Sequence, residues 1–182
     1  MNKRRSFLKS SAVLASVISA PAMARAAAAA TPAAPNERIL RLYNTHTGES
    51  LRSVFWAEGQ FVPDALQDIN KLLRDHRNNK IAPIDPQLLV LLSTVSSKVG
   101  GDSALHIISG YRSPETNKML AERSGGVAKH SMHLDGKAID IRMPGRDLKS
   151  VHKAALSAAG GGVGYSADSQ FVHMDTGRRR TW

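Results

Sequence analysis

The stretch SMHLDGKAIDIR, which begins at Ser131, constrains the fold of this chain more than any other. Its two isoleucines alternate with polar residues, which is the pattern of a half-buried strand. Neighbouring side chains on a strand point to opposite faces, so with both isoleucines in the core Asp140 points away from it. Gly136 precedes this strand and supplies a turn, because glycine adopts backbone conformations that other residues avoid. The stretch therefore predicts that a turn and a strand bring His133 and Asp140 to one site.

A second strand near the end of the sequence follows the same rule. In Phe171–Asp175 the apolar Val172 and Met174 face the core. His173 and Asp175 then share the opposite face, because side chains alternate along a strand. Both strands therefore predict polar side chains on the face of the sheet opposite the core.

Two histidines and one aspartate on that face form a candidate metal site, at His133, Asp140 and His173. Two imidazoles and a carboxylate suit zinc. Three protein ligands leave the fourth tetrahedral position to water, which distinguishes a catalytic zinc from a structural one. Asp175 lies beside His173 and is either the general base for that water or a group that orients His173 or Arg112. The sequence therefore predicts a hydrolase with one Zn²⁺ per chain.

The first 26 residues predict export. They begin MNKRRSFLK, in which paired arginines are typical of a twin-arginine signal, and small residues around position 24 offer a cleavage site. The apolar run between them is too short for an ordinary membrane span. Residues 27–36 are mostly Ala, Pro and Thr and predict a disordered leader. We therefore expect one domain over 37–182 in the periplasm, with no stable membrane anchor once the signal is removed.

Charge and cysteine content exclude several classes of function. The formal charge is +10, but five cations and no acid lie in the first 26 residues, which leaves +5 for the remainder. We expect an anionic wall polymer rather than nucleic acid as the partner of such an exported chain. The absence of cysteine excludes every cysteine-based zinc site or nucleophile. The basic run Arg178–Arg180 is either a substrate contact or a charged tail.

The rest of the pattern predicts four helices and several short strands. Capping residues and apolar spacing place helices at 63–76, 85–99, 113–123 and 147–159. Short apolar or alternating runs place strands at 39–43, 51–55, 105–108, 138–142, 163–165 and 171–175. Helices and strands are partly segregated rather than strictly alternating, which indicates a single α+β domain.

These residues resemble the motifs of a known family. The pattern SxHxxGxAxD at 131–140, with SGYR at 109–112 and a later His173, is similar to the zinc D-Ala-D-Ala carboxypeptidase and dipeptidase family, which includes the VanX-like enzymes. The chain resembles the YcbK-like murein endopeptidases more closely. That resemblance runs from the twin-arginine signal through HTGES at 46–50, SGYRS at 109–113, GGVGY at 161–165 and FVHxDTG at 171–177.

The resemblance implies both a fold and a site. The implied fold is a small α+β domain with a central antiparallel sheet flanked by helices, like the zinc DD-peptidases and Hedgehog. The implied zinc ligands are His133, Asp140 and His173. Arg112 is implied to stabilise the oxyanion that forms when water attacks the scissile carbonyl, a role that suits the forked donors of a guanidinium.

The resemblance leaves the general base open. The carboxypeptidase branch has a glutamate three residues before the last histidine ligand, and this chain has Gln170 there. Asp175 is the nearest replacement on the same strand face, and Asp168 in the preceding loop is the reserve.

The expected activity is a zinc-dependent murein endopeptidase that hydrolyses the peptide cross-links of peptidoglycan. The cross-links considered join two meso-diaminopimelate residues or D-Ala to meso-diaminopimelate. One alternative is a D,D-carboxypeptidase or dipeptidase of the same fold, which needs a closed pocket instead of an open groove. The other is a non-catalytic zinc-containing module that binds the wall, an alternative that Gln170 keeps open.

Overall fold

An eight-stranded sheet organises the residues that the computed structural model describes, which are 37–100, 102–123, 128, 130–158 and 160–182. The predicted signal at 1–26 and leader at 27–36 lie outside the described residues and stay predictions. The strand order is β3-β2-β1-β4-β5-β7-β6-β8. The strands are β1 (Glu37–Asn44), β2 (Ser50–Ala57), β3 (Gln60–Phe61), β4 (Leu105–Ser109), β5 (Ala138–Arg142), β6 (Gly162–Ser166), β7 (Phe171–Asp175) and β8 (Arg180–Thr181).

The sheet is mixed, although most of its neighbouring strands are antiparallel as expected. β1 runs parallel to β4, and β6 runs parallel to β8. Parallel neighbours need a long crossover, and two helices between β1 and β4 supply it for the first pair. The predicted α+β class is confirmed, and the neighbouring strands β4, β5, β7 and β6 at the centre of this mixed sheet are antiparallel.

In the part of the chain that the structure describes, four α-helices and one short 3₁₀ helix accompany the sheet. They are α1 (Pro63–Leu72), α2 (Pro86–Lys98), α3 (Pro114–Arg123), the 3₁₀ helix (Met132–Asp135) and α4 (Leu148–Ser157). The carboxylate of Asp85 caps α2 by accepting from the backbone N–H of Gln87, as its position before a proline predicts. α1 ends earlier than predicted, because the backbone of Asp75 pairs with Lys80 and Asn79 instead of continuing the helix. Within the described residues, no helix has the length and apolarity that crossing a bilayer requires.

The hydrophobic core lies on one face of the sheet, under α1, α2 and α4. Alternate residues of the central strands, among them Ile107, Ile139 and Val172, are almost completely buried against these helices. Each such side chain stabilises the fold by about 1.5–3 kcal/mol through burial. The residues between them, including Asp140 and His173, face the other way. We call that side of the sheet the polar face.

Candidate metal centre

The three predicted metal ligands lie together on the polar face. Asp140 on β5 pairs in register with His173 on β7, and His133 belongs to the 3₁₀ helix that precedes β5. Nε2 of His133 lies 3.4 Å from Oδ2 of Asp140, and Nδ1 of His173 lies 2.9 Å from Oδ1 of Asp140. One ligand atom from each residue lies within 4.8 Å of the other two. A single cation can therefore contact all three.

Two residues fix the loop that carries His133. The hydroxyl of Ser131 accepts from the backbone N–H of His133 at 3.4 Å and so caps the 3₁₀ helix. Gly136 ends that helix in the left-handed conformation, with φ of 65°. A side chain at this position would collide with the carbonyl oxygen of Pro83. The prediction that Gly136 supplies the turn before β5 is confirmed.

The outer hydrogen bonds of both imidazoles leave one ring nitrogen of each for a metal. Nδ1 of His133 lies 2.7 Å from the carbonyl oxygen of Gly110, which only accepts, so Nδ1 carries the hydrogen and Nε2 faces Asp140. Nε2 of His173 lies 3.0 Å from Oδ2 of Asp175, which leaves Nδ1 on the side of Asp140. Metal-bound histidines typically have such an outer acceptor. The donor set and its outer partners therefore fit zinc.

Asp140 is the carboxylate that both imidazoles contact. Burial on its own would raise its pKa, but hydrogen bonds and charge interactions with His133 and His173 hold that pKa well below its usual range. Asp140 is therefore ionised at neutral pH, as a metal ligand must be.

Asp175 is completely buried and is already occupied by hydrogen bonds. Its Oδ1 accepts from the backbone N–H groups of Gly162 and Gly177, both at 2.9 Å. Its Oδ2 accepts from Nη2 of Arg180 at 2.6 Å and contacts His173. Burial would raise the pKa of Asp175, but its partners, with His173 the strongest, hold that pKa well below its usual range. Of the two roles that the sequence left open, these contacts favour orientation of His173 over proton transfer.

The reserve candidate for the general base, Asp168, lies in the turn between β6 and β7 with Gln170, which replaces the glutamate of the carboxypeptidase branch. Asp168 and Gln170 are both exposed, and the side-chain amide of Gln170 donates to the carbonyl oxygen of Ala167 within that turn. His173 is the third residue of β7, so a rise of about 3.4 Å per residue places Gln170 about 10 Å from it. Among the residues that the structure describes, no hydrogen bond joins either side chain to a ligand.

Arg112 lies next to the ligands with a guanidinium that is incompletely paired. Its backbone N–H donates to the carbonyl oxygen of His133 at 3.0 Å. Its Nη1 donates to Oδ1 of Asn117 at 3.4 Å, and its buried Nε–H has no partner among the residues that the structure describes. Burial lowers the pKa of Arg112, and the charge of Asp140 partly offsets that effect. A buried cationic donor without a full set of partners fits an incoming anionic oxygen.

No sequence pattern marks two residues that support this site. Arg180 is the member of the basic run that binds Asp175, because the two-residue strand β8 pairs with β6 and aligns Arg180 with Gly162. Asp75 is buried and accepts from the backbone N–H and the hydroxyl of Ser113, at 2.9 and 2.8 Å. It thereby fixes the residue that follows Arg112.

Known proteins are similar in sequence to this chain over most of its length. The family model Peptidase_M15_2, described as peptidoglycan L,D-endopeptidase MepK, matches residues 32–182. Peptidoglycan L,D-endopeptidase MepK of Escherichia coli K12 is 45% identical over 153 residues, which are 84% of each chain. Probable peptidoglycan L,D-endopeptidase MepK of Haemophilus influenzae is 42% identical over 149 residues, which are 81% of this chain and 80% of that protein. No solved structure matches. The resemblance to murein endopeptidases is confirmed, and the chain belongs to the family of peptidoglycan L,D-endopeptidase MepK.

Proposed function

We propose that this chain is a periplasmic zinc endopeptidase that hydrolyses the peptide cross-links of peptidoglycan. The observation that carries the proposal is the grouping of His133, Asp140 and His173 within 4.8 Å, next to the incompletely paired guanidinium of Arg112. Three ligands and a nearby oxyanion donor are two of the parts that hydrolysis of an amide requires, and the third is a base that takes the proton of the attacking water and passes it to the leaving amine. The names of the relatives favour a bond between an L and a D centre, such as the cross-link between two meso-diaminopimelate residues.

Each residue of the site has a distinct part in this chemistry. His133, Asp140 and His173 would hold the zinc, which when bound polarises the scissile carbonyl and lowers the pKa of its water to about 7. Arg112 donates to the oxyanion that develops on the scissile carbonyl, where a fixed positive charge stabilises the transition state most. Asp175 holds the ring of His173 in position, and it is a positioning residue rather than the base.

The export and partner predictions belong to the same proposal. A twin-arginine signal at 1–26 would deliver the folded chain to the periplasm, where peptidoglycan is its substrate. The chain then works without a membrane anchor and without nucleic acid. The periplasmic location is supported by the peptidoglycan substrates that the relatives' names state.

Defined muropeptide dimers test the proposal. The zinc-loaded chain is incubated with dimers that carry either type of cross-link, and mass spectrometry follows the products. We expect dimers to become monomers with the intact site and to survive with Asp140→Ala. Asp68→Asn is the matched control, because it removes an exposed carboxylate on α1, outside the site. Arg112→Lys should lower kcat by about 100-fold, the usual cost of removing one oxyanion donor.

Two results would contradict the proposal. Loss of terminal D-Ala from surviving dimers would identify a carboxypeptidase. Intact substrates in the presence of bound zinc, together with binding to sacculi, would identify a wall-binding module. The absence of cleavage would be explained by Gln170, because an amide cannot accept a proton as the glutamate of the carboxypeptidase branch does.

A further inference from the structure

A large exposed aromatic side chain stands beside the metal ligands on the polar face. The indole of Trp182 lies 5.1 Å from the imidazole of His173 between ring centroids, with 46° between the ring planes. Trp182 nevertheless keeps 59% of its surface exposed. Its contacts therefore cover only part of the residue, and the rest remains exposed at the edge of the site.

The backbone holds this tryptophan in place. Its N–H donates to the carbonyl oxygen of Val163 at 3.3 Å, and its carbonyl oxygen accepts from the N–H of Tyr165 at 3.0 Å. The guanidinium carbon of Arg180 lies 4.9 Å from the centroid of the indole, within the range of a cation–π contact. An exposed side chain anchored from two sides loses little entropy when a ligand binds to it.

Gly164 gives the indole its place against the sheet. Gly164 on β6 pairs with His173 on β7, so both lie on the polar face. A Cβ on Gly164 would lie 2.6 Å from Cε2 of the Trp182 indole, closer than any real contact. A glycine inside a strand often marks the close approach of another group, and here that group is an aromatic ring next to a metal ligand.

Trp182 and Arg112 lie on opposite sides of the metal ligands. Across the sheet the order is β4, which leads into Arg112, then β5 and β7 with the ligands, then β6, on which the indole of Trp182 rests. Strands are about 4.8 Å apart, so this arrangement spans about 10–15 Å. Three or four residues of an extended peptide cover that distance. A peptide that crosses the strands with its scissile carbonyl at Arg112 would therefore reach the indole in the other direction.

We propose that Trp182 forms a wall of the substrate groove and binds the aliphatic side chain of a diaminopimelate residue. That residue lies next to the scissile bond, on the side away from Arg112. This inference rests on the proposed function. The flat indole face suits a chain of methylene groups, which it removes from water without needing a hydrogen bond. Gly164 is then a specificity-determining position, because any larger residue displaces the wall.

Steady-state kinetics on the zinc-loaded chain provide the first test. Trp182→Ala should raise KM for the cross-linked dimer about tenfold, as expected for an aromatic anchor, while kcat changes little. Trp182→Phe should recover most of the loss, because it restores an apolar ring. The zinc content of each variant is measured in parallel. A purely structural role would instead lower the zinc content or kcat and leave KM unchanged, and that result would overturn the inference.

Fluorescence provides a second test that does not depend on turnover. The chain has two tryptophans, Trp56 and Trp182. Trp56 on β2 packs edge-on against Phe61 on β3, away from the ligands. In Trp56→Phe the emission comes from Trp182 alone, and rapid mixing with the dimer should change it before cleavage. Trp182→Phe, which retains Trp56, is the matched control and should show no change.

The two tests separate this inference from the proposed function. A change in Trp182 emission without any cleavage by the natural chain would support the groove wall and refute the endopeptidase. Cleavage by the natural chain, with no change in emission and an unaltered KM in Trp182→Ala, would refute the groove wall alone.

Discussion

At the scale of single residues, the role of each carboxylate follows from the partners it already has. Asp140 contacts both imidazoles, whereas Asp175 contacts one imidazole, two backbone N–H groups and Arg180. We expect Asp175→Asn to weaken zinc binding 10–100-fold, because the amide would present a donor to Arg180 and lose its hold on His173. Competition with a chelator measures this affinity.

Added zinc distinguishes the two roles considered for Asp175. If Asp175 orients His173, excess zinc restores most of the activity of Asp175→Asn. A general base would give the opposite pattern, with zinc affinity intact and kcat lost at every zinc concentration. Asp68→Asn serves as the control and should leave both quantities unchanged.

At the scale of elements, a buried carboxylate anchors the start of α3 beside Arg112. Asp75 is 1% exposed, and burial would raise its pKa, but hydrogen bonds from Thr116, Ser113 and the backbone of Arg77 lower it overall. A lowered pKa means that the ionised form stabilises the fold above the unfolded pKa of about 3.9. That contribution is lost as the pH falls through the still lower pKa of the folded state.

The corresponding substitution is Asp75→Asn. We expect it to lower the free energy of unfolding at pH 7 by about 2 kcal/mol, since hydrogen bonds to a charged group are each worth about 1.5–3 kcal/mol. Urea unfolding at pH 7 and at pH 3 should also show a smaller loss on acidification than in the natural chain. Equal losses on acidification would contradict the assignment, and Asp68→Asn, on the exposed side of α1, is the matched control.

The elements that the sequence predicted well are those whose side chains alternate or carry a cap. Apolar residues alternate along β5 and β7, so this alternation alone predicted the face of the sheet on which Asp140 and His173 lie. β3 and β8 have two residues each, too few for any periodicity, so they were not predicted. The position of Arg180 depends on β8. The sequence alone therefore could not show that Arg180, within the basic run, binds Asp175.

At the scale of the whole molecule, the candidate site joins segments that are distant along the chain. The ligands come from a 3₁₀ helix and two strands, between positions 133 and 173, and Arg112 comes from the end of β4. The alternation of side chains along β5 and β7 predicted the faces of Asp140 and His173, whereas the approach of His133 was predicted from the turn at Gly136. It could not predict the burial of Asp175, because that depends on how Arg180 and the Gly162 backbone pack over it. The choice between the two roles of Asp175 therefore depends on tertiary packing, which local sequence patterns do not report.

Because zinc would link these distant segments, its removal should destabilise the whole domain. A ligand that binds only the folded state at 1,000 times its Kd stabilises that state by about 4 kcal/mol. For a domain of this size that corresponds to a Tm about 10 °C higher than in a chelator. Differential scanning calorimetry measures the shift, which His173→Ala should abolish and Asp168→Asn should retain. Identical Tm values with zinc and with chelator would mean that these three side chains do not share a metal. That result would contradict the proposed zinc-dependent hydrolysis.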